Sequence, residues 1–178
     1  VAIRKTIPSN AILDAIERIS EEIATRHSSD EKLVLAGIAN GGIPLSDLLA
    51  ASLQQRLSVP IHKAVIDISF HRDDIGSNPI AKPVESTELA ADPEDAVIIL
   101  VDDVLFSGRS VRAAMAEVHA IGRPKKIELA VLVDRGNRLL PVAADYIGIE
   151  ESTTPAEKVD VHINVDHSDQ SRIDILAP

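Results

Sequence analysis

The sequence contains no cysteine and no tryptophan, and only one tyrosine, one methionine and two phenylalanines. Without cysteine there is no disulfide, no thiolate metal site and no cysteine nucleophile, and a cytoplasmic location is the expectation. Aromatic residues amount to 2% of the chain, so stacking platforms for single-stranded nucleic acid are scarce. Positive charge is scarce as well: 18 Lys and Arg stand against 28 Asp and Glu, for a net charge of −10. A protein so acidic repels polyphosphate at long range, and binding RNA would need a local basic patch. No apolar run approaches the roughly 20 residues that span a bilayer. The opening residues VAIRKTIPSN carry no signal-peptide pattern. What is abundant is aliphatic: hydrophobic residues make up 45% of the chain, enough for a core built from Ile, Val, Leu and Ala. A length of 178 residues suits a single domain, and one spanning residues 1–178 is expected.

Helical and strand periods alternate along the chain. Ile12, Ile16, Ile19 and Ile23 recur on one face of a helix that opens at Ser9 or Asn10. Lys32–Ala39 is a short apolar run closed by the turn Asn40-Gly41-Gly42, and IPLSDLLAASLQQRL then reads as a helix. Ile61–Phe70, Ala96–Val101 and Ile127–Val133 read as strands, with the helix SVRAAMAEVHAI between the last two, stopped by GRP. Strands that are apolar throughout and alternate with helices predict an α/β fold, a mainly parallel sheet covered on both faces. Ligands of such sheets bind at the carboxyl ends of the strands, where this chain places NGG, HRDD, DDVLFSGRS and DRGNR. Residues 71–95, with three prolines and no sustained period, read as a long connection of the kind that serves as a lid or as a plain surface loop.

VDDVLFSGRS, Val101–Ser110, carries the chemistry. A strand ending in two acids could be the metal-binding strand of an ATPase, but the sequence contains no Gly-Lys pair for a phosphate-binding P-loop. It could be a phosphoacceptor site or a solvated strand end. The residues after the acids favour another reading. Two hydroxyls and a glycine between a strand and a helix start make an anion cradle, with Ser107 and Ser110 as donors and Gly108 permitting close approach. Acceptor-only carboxylates about a sugar's width away suit the vicinal hydroxyls of a ribose. Together they are shaped for a ribose 5-phosphate.

VIILVDDVLFSGRS resembles the 5-phosphoribosyl-1-pyrophosphate (PRPP) signature of type I phosphoribosyltransferases. With IDISFHRDD, GRSVRAAMAEVHAIGRP and ELAVLVDRGNRLLPVAADYIG, the chain from about Ile12 to Val161 resembles the PyrR family, pyrimidine operon regulators that are also uracil phosphoribosyltransferases. The resemblance implies the single-domain type I fold with a small hood, and transfer of phosphoribose from PRPP to uracil, giving UMP and pyrophosphate. It implies Asp102 and Asp103 on the ribose hydroxyls, Asp103 also stabilising charge at the anomeric carbon, and Leu105, Phe106, Ser107, Gly108, Arg109 and Ser110 around the 5-phosphate. It places Asn40 and Gly41 under the pyrophosphate, Arg72 against it from a catalytic loop at 71–95, and Val133, Asp134 and Arg135 beside the base. Mg²⁺ would be held mainly through the substrate, with Asp102 and Asp103 as its protein-side candidates. A homodimer or homotetramer is implied as well.

Four positions depart from the family's usual residues. Asn40-Gly41-Gly42 stands for Thr-Arg-Gly, Phe106 for Tyr, Asn137 for His, and Ile149 for Lys. Two of these remove cations where the leaving group is strongly negative. Phe106 also lacks the acid that 6-oxopurine phosphoribosyltransferases place there. Two rival readings stay open: an RNA-binding attenuation regulator that senses UMP or PRPP, and a degenerate transferase that binds without turnover. For RNA the basic residues are thin, chiefly Arg123 to Lys126, Arg135 and Arg138.

Overall fold

The computed structural model describes residues 2–27, 32–69, 88–89 and 93–178. The elements are β1 (Ile3–Ile7), α1 (Ser9–Arg26), β2 (Leu33–Ile38), α2 (Gly42–Arg56), β3 (Ile61–Ile66), β4 (Glu88–Leu89) and β5 (Val97–Leu105). They continue with α3 (Arg109–Ile121), β6 (Lys126–Asp134), β7 (Tyr146–Glu150), β8 (Lys158–His162) and β9 (Arg172–Leu176). The main sheet has the order β4-β3-β2-β5-β6-β7. From β3 to β7 its neighbours are parallel, and β4 is an antiparallel edge. A second antiparallel sheet, β1-β9-β8, forms the hood.

The parallel strands are apolar throughout because both of their faces are covered. Side chains alternate between two cores, as the period of two requires. Leu33, Leu35, Val97, Ile99 and Val101 pack with α1 and α2, and Ile173 and Ile175 of the hood join the same core. Val34, Ala36, Ile98, Leu100 and Val131 pack against Val111, Ala114 and Val118 of α3. Each fully buried large aliphatic contributes about 1.5–3 kcal/mol relative to exposure, so these cores hold the strand ends firmly in place.

Two strand boundaries differ from the sequence expectation. β5 runs on to Leu105, so the two acids lie inside it. Its pairing with β2 stops at Val101, while β6 continues alongside through Asp102↔Val131, Val104↔Val133 and Leu105↔Asp134. The acids therefore project past β2 on a strand held from one side. β3 ends at Ile66 rather than Phe70, which lies outside the described residues. There the Asp67 carboxylate accepts a hydrogen bond from Ser69 N (2.8 Å) and turns the chain.

Glu151 and Asp174 are buried and paired. Glu151 takes Arg4 and Lys5, and Asp174 takes Thr6 Oγ1 (2.7 Å) and Arg172 Nε (3.0 Å), which ties β1 into the hood. Among the described residues no helix is long and apolar enough to cross a membrane.

Candidate active site

The carboxyl ends of β2 and β5 meet beneath the hood. Between β2 and α2, the turn Asn40–Gly42 runs directly against β5. A side chain on Gly41 would overlap the Asp103 carboxyl group, and one on Gly42 would overlap the Val101 carbonyl. Gly41 has φ −63°, so space rather than backbone conformation calls for glycine there. The cation missing at position 41 thus has a steric counterpart: in this arrangement Asp103 fills the place a side chain would take.

Asp102 is buried, and its Oδ1 accepts a hydrogen bond from Asp103 N (3.0 Å). Its pKa is pushed well above the usual carboxylate range, first by burial and then by the adjacent Asp103 charge. Asp103 is half-buried and shifted upward too, chiefly by burial; hydrogen bonds from the Val104 and Asp103 amides and from Asp102 oppose the shift, and the Asp160 charge adds to it. Among the described residues neither acid has a salt-bridge partner. Two desolvated acids without a cation form a site that gains from binding one, or from hydroxyl donors.

Leu105 to Ser110 follow without a gap. The Leu105 side chain is buried in the α3-side core, which leaves its backbone for the turn. Gly108 has φ +89° and caps α3, a left-handed conformation natural to glycine. Carbonyls along this turn are taken up from one side. Leu105 O accepts from Arg135 N (3.1 Å) and Arg138 Nη1 (3.2 Å), and Phe106 O from Arg138 Nη1 (2.9 Å). Ser107 O accepts from Leu139 N and Leu140 N (both 3.1 Å). In a trans peptide the N–H points opposite to the C=O, so the amides of Phe106, Ser107 and Gly108 face away from residues 135–140. Ser107 Oγ accepts from Arg109 N (3.3 Å), and Arg109 and Ser110 are exposed in the first turn of α3. Such a concave row of amides at a helix start receives anions.

The side chains of Val133, Asp134 and Arg135 are engaged elsewhere. Val133 is core. Asp134 takes Arg138 and the Gly136 amide (2.9 Å). Arg135 is buried and lies over the Phe106 ring, 4.3 Å from guanidinium carbon to ring centre, while donating to Thr153 Oγ1 (2.9 Å) and to the carbonyls of Thr154 (2.8 Å) and Glu157 (2.7 Å). Backbone groups of the trio are engaged as well: Arg135 N donates to Leu105 O, and Asp134 O accepts from Glu151 N. Asn137 adopts φ +57° and donates to Thr153 O (2.6 Å), and Ile149 packs against the core, where a charge would be costly. Arg72 and most of the 71–95 segment lie outside the described residues.

Sequence reasoning missed the opposite wall. A cleft of about 680 Å³ opens between Gly41, Pro44 and Asp103 on one side and His162, Asn164 and Arg172 of the hood on the other. The strict alternation of KVDVH and RIDIL was the available signal for those strands. Among the described residues no group of three or more His, Asp or Glu could hold a metal ion. The two adjacent carboxylates nevertheless suit a hard cation that keeps most of its ligands from water and substrate.

The family model of the phosphoribosyl transferase domain matches residues 8–166. A protein of Clostridioides difficile described as bifunctional protein PyrR is 42% identical over 153 residues, covering 86% of each chain. One of Bacillus pumilus with the same description is 42% identical over 169 residues, covering 92% of each. Among solved structures, a hypoxanthine phosphoribosyl transferase of Trypanosoma cruzi superposes with TM-score 0.70 at 16% identity, over 99% of this chain and 92% of that one. One from Staphylococcus aureus gives 0.67 at 15%, over 99% and 94%. At such identities the structural likeness concerns the fold alone.

Proposed function

Because the chain belongs to the phosphoribosyltransferase family, and within it to the PyrR proteins, we propose that it transfers the 5-phosphoribosyl group of PRPP to uracil, giving UMP and pyrophosphate. The observation that carries this reading is one of placement. Two desolvated acids stand on β5 immediately before an amide-lined turn whose Leu105, Phe106 and Ser107 carbonyls are directed to the other side. The turn, with Ser107 and Ser110, takes the 5-phosphate, and Asp102 and Asp103 take the ribose hydroxyls. As the bond from the anomeric carbon to pyrophosphate breaks, Asp103 stabilises the positive charge that develops there. The new bond forms to a uracil nitrogen, which releases its proton. Asn40 and Gly41 are assigned to the pyrophosphate, and Arg72, outside the described residues, is the cation proposed to pair with it. Backbone groups of Val133 to Arg135 border the base.

Asp102 and Asp103 would hold Mg²⁺ together with the substrate. Bound there, the metal supplies charge neutralisation on the pyrophosphate oxygens. The unit would act over residues 1–178 as one domain, in the cytoplasm, as a homodimer or homotetramer.

The relatives' description as bifunctional supports a second reading, recognition of a pyrimidine-operon leader RNA. The basic residues available for it are largely committed within the fold. Arg123 donates to the carbonyls of His119 and Gly122, Lys126 to Glu128, Arg135 to the carbonyls of Thr154 and Glu157, and Arg138 to those of Leu105 and Phe106.

The test is a turnover screen with PRPP, Mg²⁺ and a panel of bases. UMP and pyrophosphate in equal amounts from uracil support transfer. Product only from another base overturns the choice of uracil, and UMP binding without product from any base overturns catalysis.

A further inference from the structure

Arg138 makes no approach to the acids, yet its guanidinium is surrounded by backbone of the phosphate turn. Nη1 donates to the carbonyls of Leu105 (3.2 Å), Phe106 (2.9 Å) and Gly136 (3.1 Å), Nε donates to Val142 O (3.1 Å), and Nη2 meets the Asp134 carboxylate. The same segment supplies the Leu139 and Leu140 amides to Ser107 O, and the side chains of Leu140 and Val142 lie against Gly108. Residues 134–142 thus form a buttress behind the turn, with Arg138 at its centre. Within the same segment, Arg135 stacks on Phe106 while its guanidinium holds the carbonyls of Thr154 and Glu157.

We propose that Arg138 is a positioning residue that presets the Leu105–Ser110 turn for an anionic phosphate, acting through the carbonyls of Leu105 and Phe106 rather than by touching the ligand. Three physical arguments support it. A charged donor on each carbonyl fixes the peptide planes, so the amides of Phe106 and Ser107 need no reordering when phosphate arrives. Charge-assisted hydrogen bonds are the stronger kind, and they polarise the peptides they hold, making the opposing N–H groups better donors. Finally, the guanidinium lies on the carbonyl side of the turn, so it does not compete with the opposing amides for the phosphate oxygens. The fork matters as well as the charge: Nη1 serves both turn carbonyls while Nε and Nη2 are anchored on Val142 O and the Asp134 carboxylate, an anchorage that a single ammonium does not reproduce. The Asp134 carboxylate is then the group that orients Arg138, which accounts for a half-buried pairing with no direct ligand contact.

This inference rests on the reading of Leu105–Ser110 as a phosphate cradle, and the test separates the two. Calorimetry on the full chain compares UMP with uridine, which lacks the phosphate, for wild type, Arg138→Gln and Arg138→Lys, with thermal melting as the check on folding. Wild type is expected to prefer UMP. Arg138→Gln should weaken UMP by about ten- to a hundredfold, and Arg138→Lys by a smaller factor, with uridine affinity unchanged in both. A general structural defect would lower both ligands together, and that result overturns the proposal. So does unchanged UMP affinity in either variant. Should Arg138→Gln not fold, Arg138→Lys decides alone by the same criterion. A wild type that shows no preference for UMP over uridine overturns the cradle reading itself, and the role of Arg138 with it.

Discussion

Two carboxylates on adjacent strands of one sheet are buried almost equally and titrate in opposite directions. Glu128, near the amino end of β6 and paired with Ile99, is 1% exposed; Asp102, near the carboxyl end of β5 and paired with Val131, is 8% exposed. Burial alone would raise both. At Glu128 burial does push upward, but hydrogen bonds from Lys126 Nζ (2.5 Å), Tyr146 Oη (2.6 Å) and His27 Nε2 (2.8 Å) outweigh it and bring the pKa down to about 2. The Tyr146 hydroxyl is in turn shifted upward by its own burial and by Glu128, and Arg26 lies over its ring. At Asp102 there is no such company, only a second acid, and the pKa rises. One end of the sheet completes its charges internally and is built for stability. The other leaves them incomplete, which costs stability and makes a site for something that supplies hydroxyls or positive charge.

The contrast can be broken by mutation, most severely at Asp103. Asp103→Asn should reduce turnover by about a hundred- to a thousandfold while thermal melting is unchanged or slightly higher, because the lost charge stabilises the transition state and is itself desolvated in the fold. Turnover within twofold of wild type would remove Asp103 from the mechanism. Next, Glu128→Ala removes the buried carboxylate that His27, Tyr146 and Lys126 share at the other end of the sheet. It should cost about 3–5 kcal/mol in denaturant unfolding, as breaking a buried ion pair does, and leave UMP affinity of the folded protein unchanged. A cost below about 1 kcal/mol would show that the network is not what holds that end. Asp102→Asn should do the reverse, raising stability by about 1–2 kcal/mol while weakening UMP, since it removes a desolvated charge but keeps the acceptor for the Asp103 amide. A loss of stability there would contradict the assignment of opposite roles.

Acidity sharpens the same comparison. Glu128 has a lowered pKa, so its contribution is complete above its ordinary value of 4.5 and lost as pH falls towards about 2. Asp102 and Asp103 have raised values, so they destabilise the fold above those values and the penalty is relieved as pH falls through them. UMP binding should therefore weaken at mildly acid pH before the fold is lost. Ligand affinity and stability that decline together would show a single titration rather than two.

Much of this was legible in the sequence. Unbroken apolar strands alternating with helices specified a parallel sheet, and VDDVLFSGRS specified two acids followed by a glycine-bearing turn into a helix. What escaped depended on contacts between distant segments. Glu128, His27 and Tyr146 come from β6, the end of α1 and β7, and no spacing in the chain connects them. The end of β5 was misplaced because charged residues read as loop, whereas β6 continues to pair with them. Arg138 carried no signal of its role, since an arginine in a polar stretch looks like surface until its carbonyl partners are seen. The hood strands β8 and β9 did alternate at period two, but in runs short enough to pass as loop.

The most direct test of the account is an amide NMR titration of the full chain with UMP. The amides of Asp102, Asp103 and Phe106 to Ser110 should shift on binding, while those of Lys126 to Glu128 and of His27 stay where they are. Shifts concentrated at the Glu128 end, or absent from Phe106 to Ser110 at saturating UMP, would contradict the claim that the carboxyl end of the sheet is the phosphoribose site.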